Sequence, residues 1–161
     1  MILLLKLSLI SIFILIFFQD YKDRLVYWFF YPLAGINSFI IYSLQIHYIS
    51  ALLNSAMNMT IVIVMLLASY FYSTVVMKKK FVDGSMGMGD IFLLMAISFT
   101  FSTISFIVIL VFSLIFSLTL HVFLKHNSIH NTVPLAGYIS LFFAAVYITS
   151  LFIEPKYLFA Y

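Results

Sequence analysis

Long apolar segments alternate along the chain with short stretches that hold most of its charged residues. Several of these segments approach the roughly 20 residues that a helix needs to cross a bilayer core about 30 Å thick. They lie at residues 2–18, 27–44, 59–77, 91–102, 105–124 and 133–153. The pattern predicts an all-α integral membrane protein, a polytopic bundle of about six transmembrane helices that forms one membrane-embedded domain over residues 1–161.

Two stretches of this pattern have more than one interpretation. Residues 91–124 could form one bent helix or two helices joined at the polar residues 100–103, and the length of the stretch favours two. The first segment has the position of a signal peptide, but no basic residue precedes its apolar core and no small-x-small cleavage pattern follows it. We therefore expect the first segment to be retained as a helix.

Composition agrees with a location in the membrane. The chain is 65% hydrophobic and only 8% charged, whereas about 25% of residues are charged in soluble domains. It contains no cysteine, which excludes disulfide bonds, thiolate zinc sites and a cysteine nucleophile. No feature indicates nucleic-acid binding, so we expect membrane lipid to surround the protein.

The basic residues predict the orientation of the bundle. Lys6 and Lys156 fall on one side of it, and the other six basic residues fall in alternate loops on the opposite side, namely Lys22, Arg24, Lys78, Lys79, Lys80 and Lys125. By the positive-inside rule these loops face the cytoplasm, which predicts a multi-pass protein of the cytoplasmic (inner) membrane. Four of the five acidic residues share this face, namely Asp20, Asp23, Asp83 and Asp90.

Two of these aspartates are candidate catalytic residues. Asp20 ends the first span and Asp90 opens the fourth, so the predicted topology lets them meet at one membrane face. Two neighbouring carboxylates tend to share one proton, and this is the chemistry of an aspartic protease. A structural role is the alternative, because aspartate is also favoured in the first turn of a helix.

The residues around the two aspartates are candidates for substrate binding. Gly87 and Gly89 have no Cβ, so the backbone before Asp90 could adopt left-handed conformations and admit an extended peptide. Asp23 is a further candidate for substrate binding, and it also competes with Asp20 for the first catalytic position. We favour Asp20 because it directly follows the apolar run, whereas Asp23 lies between two basic residues.

Two other clusters are interpreted as structural. Tyr27, Trp28 and Tyr31 are typical of the aromatic belt at a membrane interface. His126 and His130 are four residues apart, a spacing that can bind metal on a helix, but no carboxylate lies nearby and the surrounding residues are typical of a polar loop. We therefore predict no metal site.

Three stretches resemble one family of membrane proteases. They are "QDYKDRLV" after the first span, "GMGDIFLLMAIS" with its G-x-G-D motif, and "TVPLAGYISL" before the last helix. Together they span nearly the whole chain, and they resemble the type IV prepilin peptidases and archaeal preflagellin peptidases. The resemblance implies an aspartic endopeptidase that cleaves short basic leaders from pilin-like precursors at the cytoplasmic face. It also implies that Asp20 and Asp90 form the catalytic pair and that no cofactor is needed.

The chain departs from the family pattern in three respects. Many members have a proline soon after the first aspartate, where this chain has Val26, Tyr27 and Trp28, and a lysine two residues after the second, where it has Phe92. These departures bear on substrate contacts more than on the aspartate pair. The cysteine-bearing domain of the methylating members is missing, so the short members that cleave without methylating are the closer likeness.

A rival interpretation belongs to another functional class. The chain could be a non-catalytic polytopic membrane subunit, such as a transporter component or an assembly factor. Asp20 and Asp90 would then pair with lysines to fix the bundle. The two interpretations differ in what an aspartate-to-asparagine substitution removes, which is turnover in an enzyme and folded protein in a structural subunit.

Overall fold

The fold is known from a computed structural model that describes residues 1–78, 80–82, 86–124, 134–152 and 156–159. Within these ranges the chain is helical and contains no β-strand. The helices are α1 (Ile2–Asp23), α2 (Phe30–Ser43), α3 (Tyr48–Phe71), α4 (Met88–Ile97), α5 (Thr103–Leu124), α6 (Leu135–Thr149) and the short α7 (Lys156–Phe159). A π-helical turn, Tyr72–Val76, extends α3. The predicted all-α bundle is confirmed.

Each of the six predicted apolar segments overlaps one of the helices α1 to α6. In the described part of the chain, three helical stretches are long and apolar enough to cross a membrane, namely Ile2–Asp23, Tyr48–Val76 and Thr103–Leu124. The helices α4 and α6 are shorter and also apolar. The predicted start of the third segment, at residue 59, is wrong because α3 begins at Tyr48. Polar residues such as Asn54 interrupt the apolar pattern there, yet the Asn54 Nδ2 donates to the Tyr42 Oη at 2.8 Å inside the bundle.

The stretch from residue 91 to residue 124 forms two helices, as its length predicts. The break between α4 and α5 frees backbone carbonyls, which are costly to leave unpaired in an apolar interior. Asn58 of α3 is fully buried. Its Nδ2 donates to the carbonyl oxygens of Ser98 at 3.1 Å and Phe101 at 2.9 Å. One asparagine side chain therefore pairs two of the carbonyl groups that the break between α4 and α5 leaves free.

The packing of α1 against α6 sets the position of the site. Aromatic side chains fill the contact, with ring centroids 6.0 Å apart for Phe13 and Phe143. Near the start of α1, the buried Lys6 Nζ donates to the carbonyl oxygen of Ser150, just after α6, at 2.7 Å. The two helices are therefore antiparallel, and the last turn of α1 lies beside the first turn of α6.

We predict that Asn58→Leu lowers the stability of the bundle. The substitution keeps the size of the side chain but leaves the Ser98 and Phe101 carbonyls without their donor, which should lower the free energy of unfolding by about 1–3 kcal/mol. Thermal unfolding in detergent micelles measures this loss. Thr60→Ala is the control, because the exposed Thr60 hydroxyl bonds only within its own helix and its loss should cost less than about 0.5 kcal/mol. Equal stability of Asn58→Leu and the unsubstituted protein would contradict the assignment.

Candidate active site

The site forms at the first turn of α6, where backbone N–H groups have no partner within the helix. The Ala136 N–H donates to the Oδ1 of Asp90 at 2.7 Å, and the Gly137 N–H donates to the Oδ2 of Asp20 at 2.5 Å. Two consecutive backbone donors thus bind carboxylates from α4 and α1. The two aspartates that the sequence predicts as a pair lie together in the structure.

Asp90 is held at two helix starts at once. Besides its bond to the first turn of α6, its Oδ2 accepts the Gly87 N–H at 3.2 Å, where Gly87 caps the start of α4. Asp20 belongs instead to the last turn of α1. A helix start carries partial positive charge. The backbone of α6 therefore stabilises negative charge on the pair without a lysine.

Arg24 adds a formal positive charge beside the pair. It caps the end of α1 in a left-handed conformation, with φ 56°, which a residue other than glycine rarely adopts. Its guanidinium interacts electrostatically with both Asp20 and Asp90. Within the described residues, its Nε is buried without a hydrogen-bond partner. In the sequence Arg24 is only an orientation signal, whereas in the structure it lies at the site.

The aspartates open onto a large cavity that contains both polar and apolar groups. It has a volume of about 1210 Å³, and Asp20, Arg24 and Asp90 contribute to its wall together with residues of α2, α3 and α5. This dyad cavity, as we call it, is large enough to admit a peptide segment together with water.

An apolar groove lies next to the dyad cavity. It is formed by α2 and α4, has a volume of about 740 Å³, and is lined by side chains such as Ile36 and Met95. Trp28, Tyr31 and Phe92 line both the groove and the dyad cavity. The two spaces therefore meet along these three aromatic residues.

The predicted conformational role of the two glycines is wrong. No glycine among the described residues has a positive φ. Gly87 is extended, with φ −74° and ψ 149°, and Gly89 lies in the first turn of α4. A Cβ at Gly89 would lie 2.5 Å from the Tyr31 Oη, and one at Gly87 would lie 3.3 Å from the Asp90 Oδ2. These glycines provide space for neighbouring side chains, a role that a sequence pattern does not separate from backbone freedom.

Asp23 and Asp20 have different surroundings. Asp23 is exposed on the last turn of α1 and is not among the residues that line the dyad cavity, whereas Asp20 is partly buried and lines it. This geometry favours Asp20 as the partner of Asp90. Substrate binding by Asp23 stays a prediction. Asp83, His126 and His130 lie outside the described residues, and among the residues that are described no group of histidine and acidic side chains could hold a metal ion.

Three contributors to the site besides Arg24 were not predicted from the sequence. Tyr31 is only 3% exposed, so its assignment to the interfacial aromatic belt is wrong, whereas Tyr27 and Trp28 are exposed. The other two are the backbone donors Ala136 and Gly137. A Cβ at Gly137 would lie 3.0 Å from the Asp20 Oδ2. The one signal for these donors is their position just after Pro134, where a helix start is expected.

Comparisons of this chain with protein-family models, with curated proteins and with solved structures found no match. Interpretation of the site therefore depends on its own residues. The rival structural interpretation expects lysine partners for Asp20 and Asp90. Across the described part of the chain, both carboxylates are bonded to backbone N–H groups and neither forms an ion pair with a lysine.

We predict that Gly89→Ala destabilises the protein through Tyr31. The added methyl would lie 2.5 Å from the Tyr31 Oη but 3.5 Å from its Cζ, so the hydroxyl accounts for the clash. Overpacking of this kind should lower the free energy of unfolding by about 1–3 kcal/mol. Adding Tyr31→Phe removes the hydroxyl and should recover most of the lost free energy of unfolding. Thermal unfolding of the two single variants and the double variant measures the coupling.

Gly87→Ala is the matched control for this comparison of single and double variants. Its Cβ would meet Asp90 and not Tyr31, so Tyr31→Phe should not restore its stability. Equal losses for Gly89→Ala with and without the Tyr31 hydroxyl would instead indicate a backbone requirement at Gly89.

Proposed function

We propose that this protein is a membrane aspartic endopeptidase in which Asp20 and Asp90 are the catalytic pair. One observation carries the proposal: carboxylates from two different helices accept hydrogen bonds from the consecutive N–H groups of Ala136 and Gly137. They do so at the wall of a cavity that can admit a peptide. A pair of carboxylates that only fixed the bundle would not need such a space.

The arrangement supports hydrolysis of a peptide bond by acid and base catalysis. Adjacent carboxylates tend to hold one proton between them, because two negative charges repel at short range. The ionised carboxylate takes a proton from water as the water oxygen bonds to the scissile carbonyl carbon, and the protonated carboxyl donates to the carbonyl oxygen. The C–N bond then breaks as the nitrogen takes the proton that the base removed from water, and a diol hydroxyl returns its proton to the other carboxylate, which leaves an amine and a carboxylic acid.

The hydrogen bonds leave one carboxylate oxygen of the pair free to bind a water molecule. Among the described contacts, Asp20 uses only its Oδ2, which bonds to Gly137, so its Oδ1 is available. Asp90 uses both oxygens to accept backbone N–H groups. These fixed donors orient both carboxylates before substrate binds, which lowers the reorganisation that the reaction requires.

The proposed substrate is a pilin-like precursor with a short basic leader, cleaved at the cytoplasmic face. The resemblance to prepilin peptidases supports this choice, and so does the position of the site. Lys22, Arg24, Lys78 and Lys80 lie at the same end of the bundle as the aspartate pair, Lys22 in the last turn of α1 and the others beyond helix ends, and basic residues there favour the cytoplasmic side. A basic leader would be attracted by the acidic residues at this end, an attraction that the basic residues there reduce.

The apolar groove fits the other half of such a substrate. A pilin-like precursor has an apolar helix directly after its leader, and the groove runs along α2 from Pro32 to Ile40. This stretch is about 12 Å long at 1.5 Å per residue, enough for about two helical turns. A helix in the groove would bring the preceding peptide to the dyad cavity, because Trp28 and Phe92 line both spaces.

We predict that Asp20→Asn and Asp90→Asn each abolish processing of a co-expressed precursor that carries a basic leader. Each substitution keeps the shape of the side chain but removes a proton-transfer group, which contributes about 10²- to 10⁴-fold to the rate. A size shift of the precursor on a gel measures cleavage, and the membrane-inserted amount of each variant measures folding. Asp23→Asn is the control and should retain activity.

The same variants separate the two candidate functions. Loss of cleavage at normal abundance supports the endopeptidase, whereas loss of folded protein in both variants would favour the structural subunit. An active Asp20→Asn together with an inactive Asp23→Asn would show that the first catalytic residue is Asp23.

We predict that Ile36→Trp weakens substrate binding by filling the groove. Ile36 is 61% exposed and lines the groove, so a larger side chain there should occupy the space without disturbing the core. The apparent KM for the precursor in mixed micelles should rise severalfold while kcat changes little. Leu33→Trp is the matched control, since Leu33 is 46% exposed on the same helix and is not among the groove-lining residues. Equal effects of the two substitutions would argue against the groove as the binding surface.

A further inference from the structure

Tyr31 has a buried hydroxyl group that the fold itself does not use. The residue is 3% exposed, and its Oη finds no hydrogen-bond partner anywhere in the described part of the chain. Most buried hydroxyl groups in proteins are paired, because an unpaired one loses its bonds to water without replacement. Tyr31 shares this property with other buried side chains among the described residues, Tyr147 included, so its position at the site is what distinguishes it.

The position of this hydroxyl indicates a role at the site. Tyr31 lines both the dyad cavity and the apolar groove, so it lies where the two spaces meet. Its hydroxyl is close enough to Asp20 and Asp90 to interact electrostatically with both carboxylates. It does not form a hydrogen bond with either of them, and both oxygens of Asp90 already accept backbone N–H groups.

The neighbours of Tyr31 hold its hydroxyl in place. Gly89 gives the Oη its space, because any Cβ there would lie 2.5 Å from it. The Tyr31 ring packs against Phe92 with centroids 6.0 Å apart. A donor that is fixed before the reaction begins stabilises developing charge better than one that must reorient.

We propose that Tyr31 is a third catalytic residue, whose hydroxyl donates a hydrogen bond to the oxygen of the scissile carbonyl. This inference rests on the proposed endopeptidase function. The hydroxyl keeps its proton throughout: as water adds to the carbonyl carbon, the bond to the carbonyl oxygen strengthens with the negative charge that develops there. An un-ionised tyrosine suits this role, since the unperturbed phenol has a pKa of about 10 and is protonated at neutral pH.

The test compares Tyr31→Phe with the unsubstituted protein in the cleavage of a leader-bearing precursor in proteoliposomes. Removing one donor to a developing oxyanion costs about 10²- to 10³-fold in kcat, and we expect a loss of this size with little change in KM. Tyr147→Phe is the matched control. It removes a hydroxyl from another fully buried tyrosine, which packs against Phe13 and Phe101 in the core, and it should leave kcat unchanged.

The possible outcomes distinguish this inference from the proposed function. If the unsubstituted protein cleaves the precursor and Tyr31→Phe cleaves it with the same kcat, the catalytic role is overturned and the endopeptidase stands. A change confined to KM would also overturn it, because Tyr31 would then act only as a wall of the groove. If the unsubstituted protein cleaves no leader-bearing precursor, the proposed function fails and the role of Tyr31 fails with it.

A second substitution keeps the test valid if Tyr31→Phe does not fold. Incorporating 3-fluorotyrosine at position 31 preserves the ring and the hydroxyl but makes the hydroxyl more acidic. A hydroxyl that donates to the reacting oxygen must then change kcat, so an altered kcat at normal folded amount supports the role. An unchanged kcat overturns it.

Discussion

The structure of the site depends on the backbone N–H groups that the first turn of α6 cannot use within its own helix. Inside an apolar bundle such groups need partners from elsewhere in the protein. Asp90 and Asp20 provide them by accepting the N–H groups of Ala136 and Gly137. The contacts that join α4 and α1 to the start of α6 are therefore the contacts that bring the two aspartates together. An asparagine at position 20 can still accept the Gly137 N–H through its amide oxygen, whereas one at position 90 can accept only one of the two N–H groups that Asp90 binds, so shape and proton transfer separate more cleanly at Asp20.

The opposite end of α6 is also stabilised by a charged side chain from another helix. The end of a helix carries partial negative charge, and the buried Lys6 donates to the carbonyl of Ser150 there. The start of α6 has two carboxylates beside it and its end has an ammonium group, so each side chain opposes the helix dipole. Asp20 and Lys6 both belong to α1, which explains why the antiparallel pair of α1 and α6 is the frame that positions Asp20.

The apolar pattern predicted the helices because the length of a membrane span is a strong constraint. It failed at the start of α3, since polar side chains such as Asn58 bond inside the bundle where the pattern expects a loop. The meeting of Asp20 and Asp90 followed from topology alone, because one lies in the last turn of its helix and the other in the first turn of its helix at the same end of the bundle. Their backbone donors had only the signal of a helix start just after Pro134, since any residue supplies an N–H. Gly89 was recognised but misinterpreted, because a missing Cβ has the same sequence signature whether it frees the backbone or accommodates Tyr31.

Hydrolysis within a bundle requires an apolar substrate helix and water to reach the same carbonyl group. Here the apolar groove and the dyad cavity are separate spaces that meet at Trp28, Tyr31 and Phe92. In the proposed endopeptidase, a substrate helix would enter through the groove and water would reach Asp20 through the cavity. The peptide that joins leader and helix would then cross the boundary beside Tyr31. Burial of the Tyr31 hydroxyl without a partner is understandable at this boundary, because the group that completes it would arrive with the substrate.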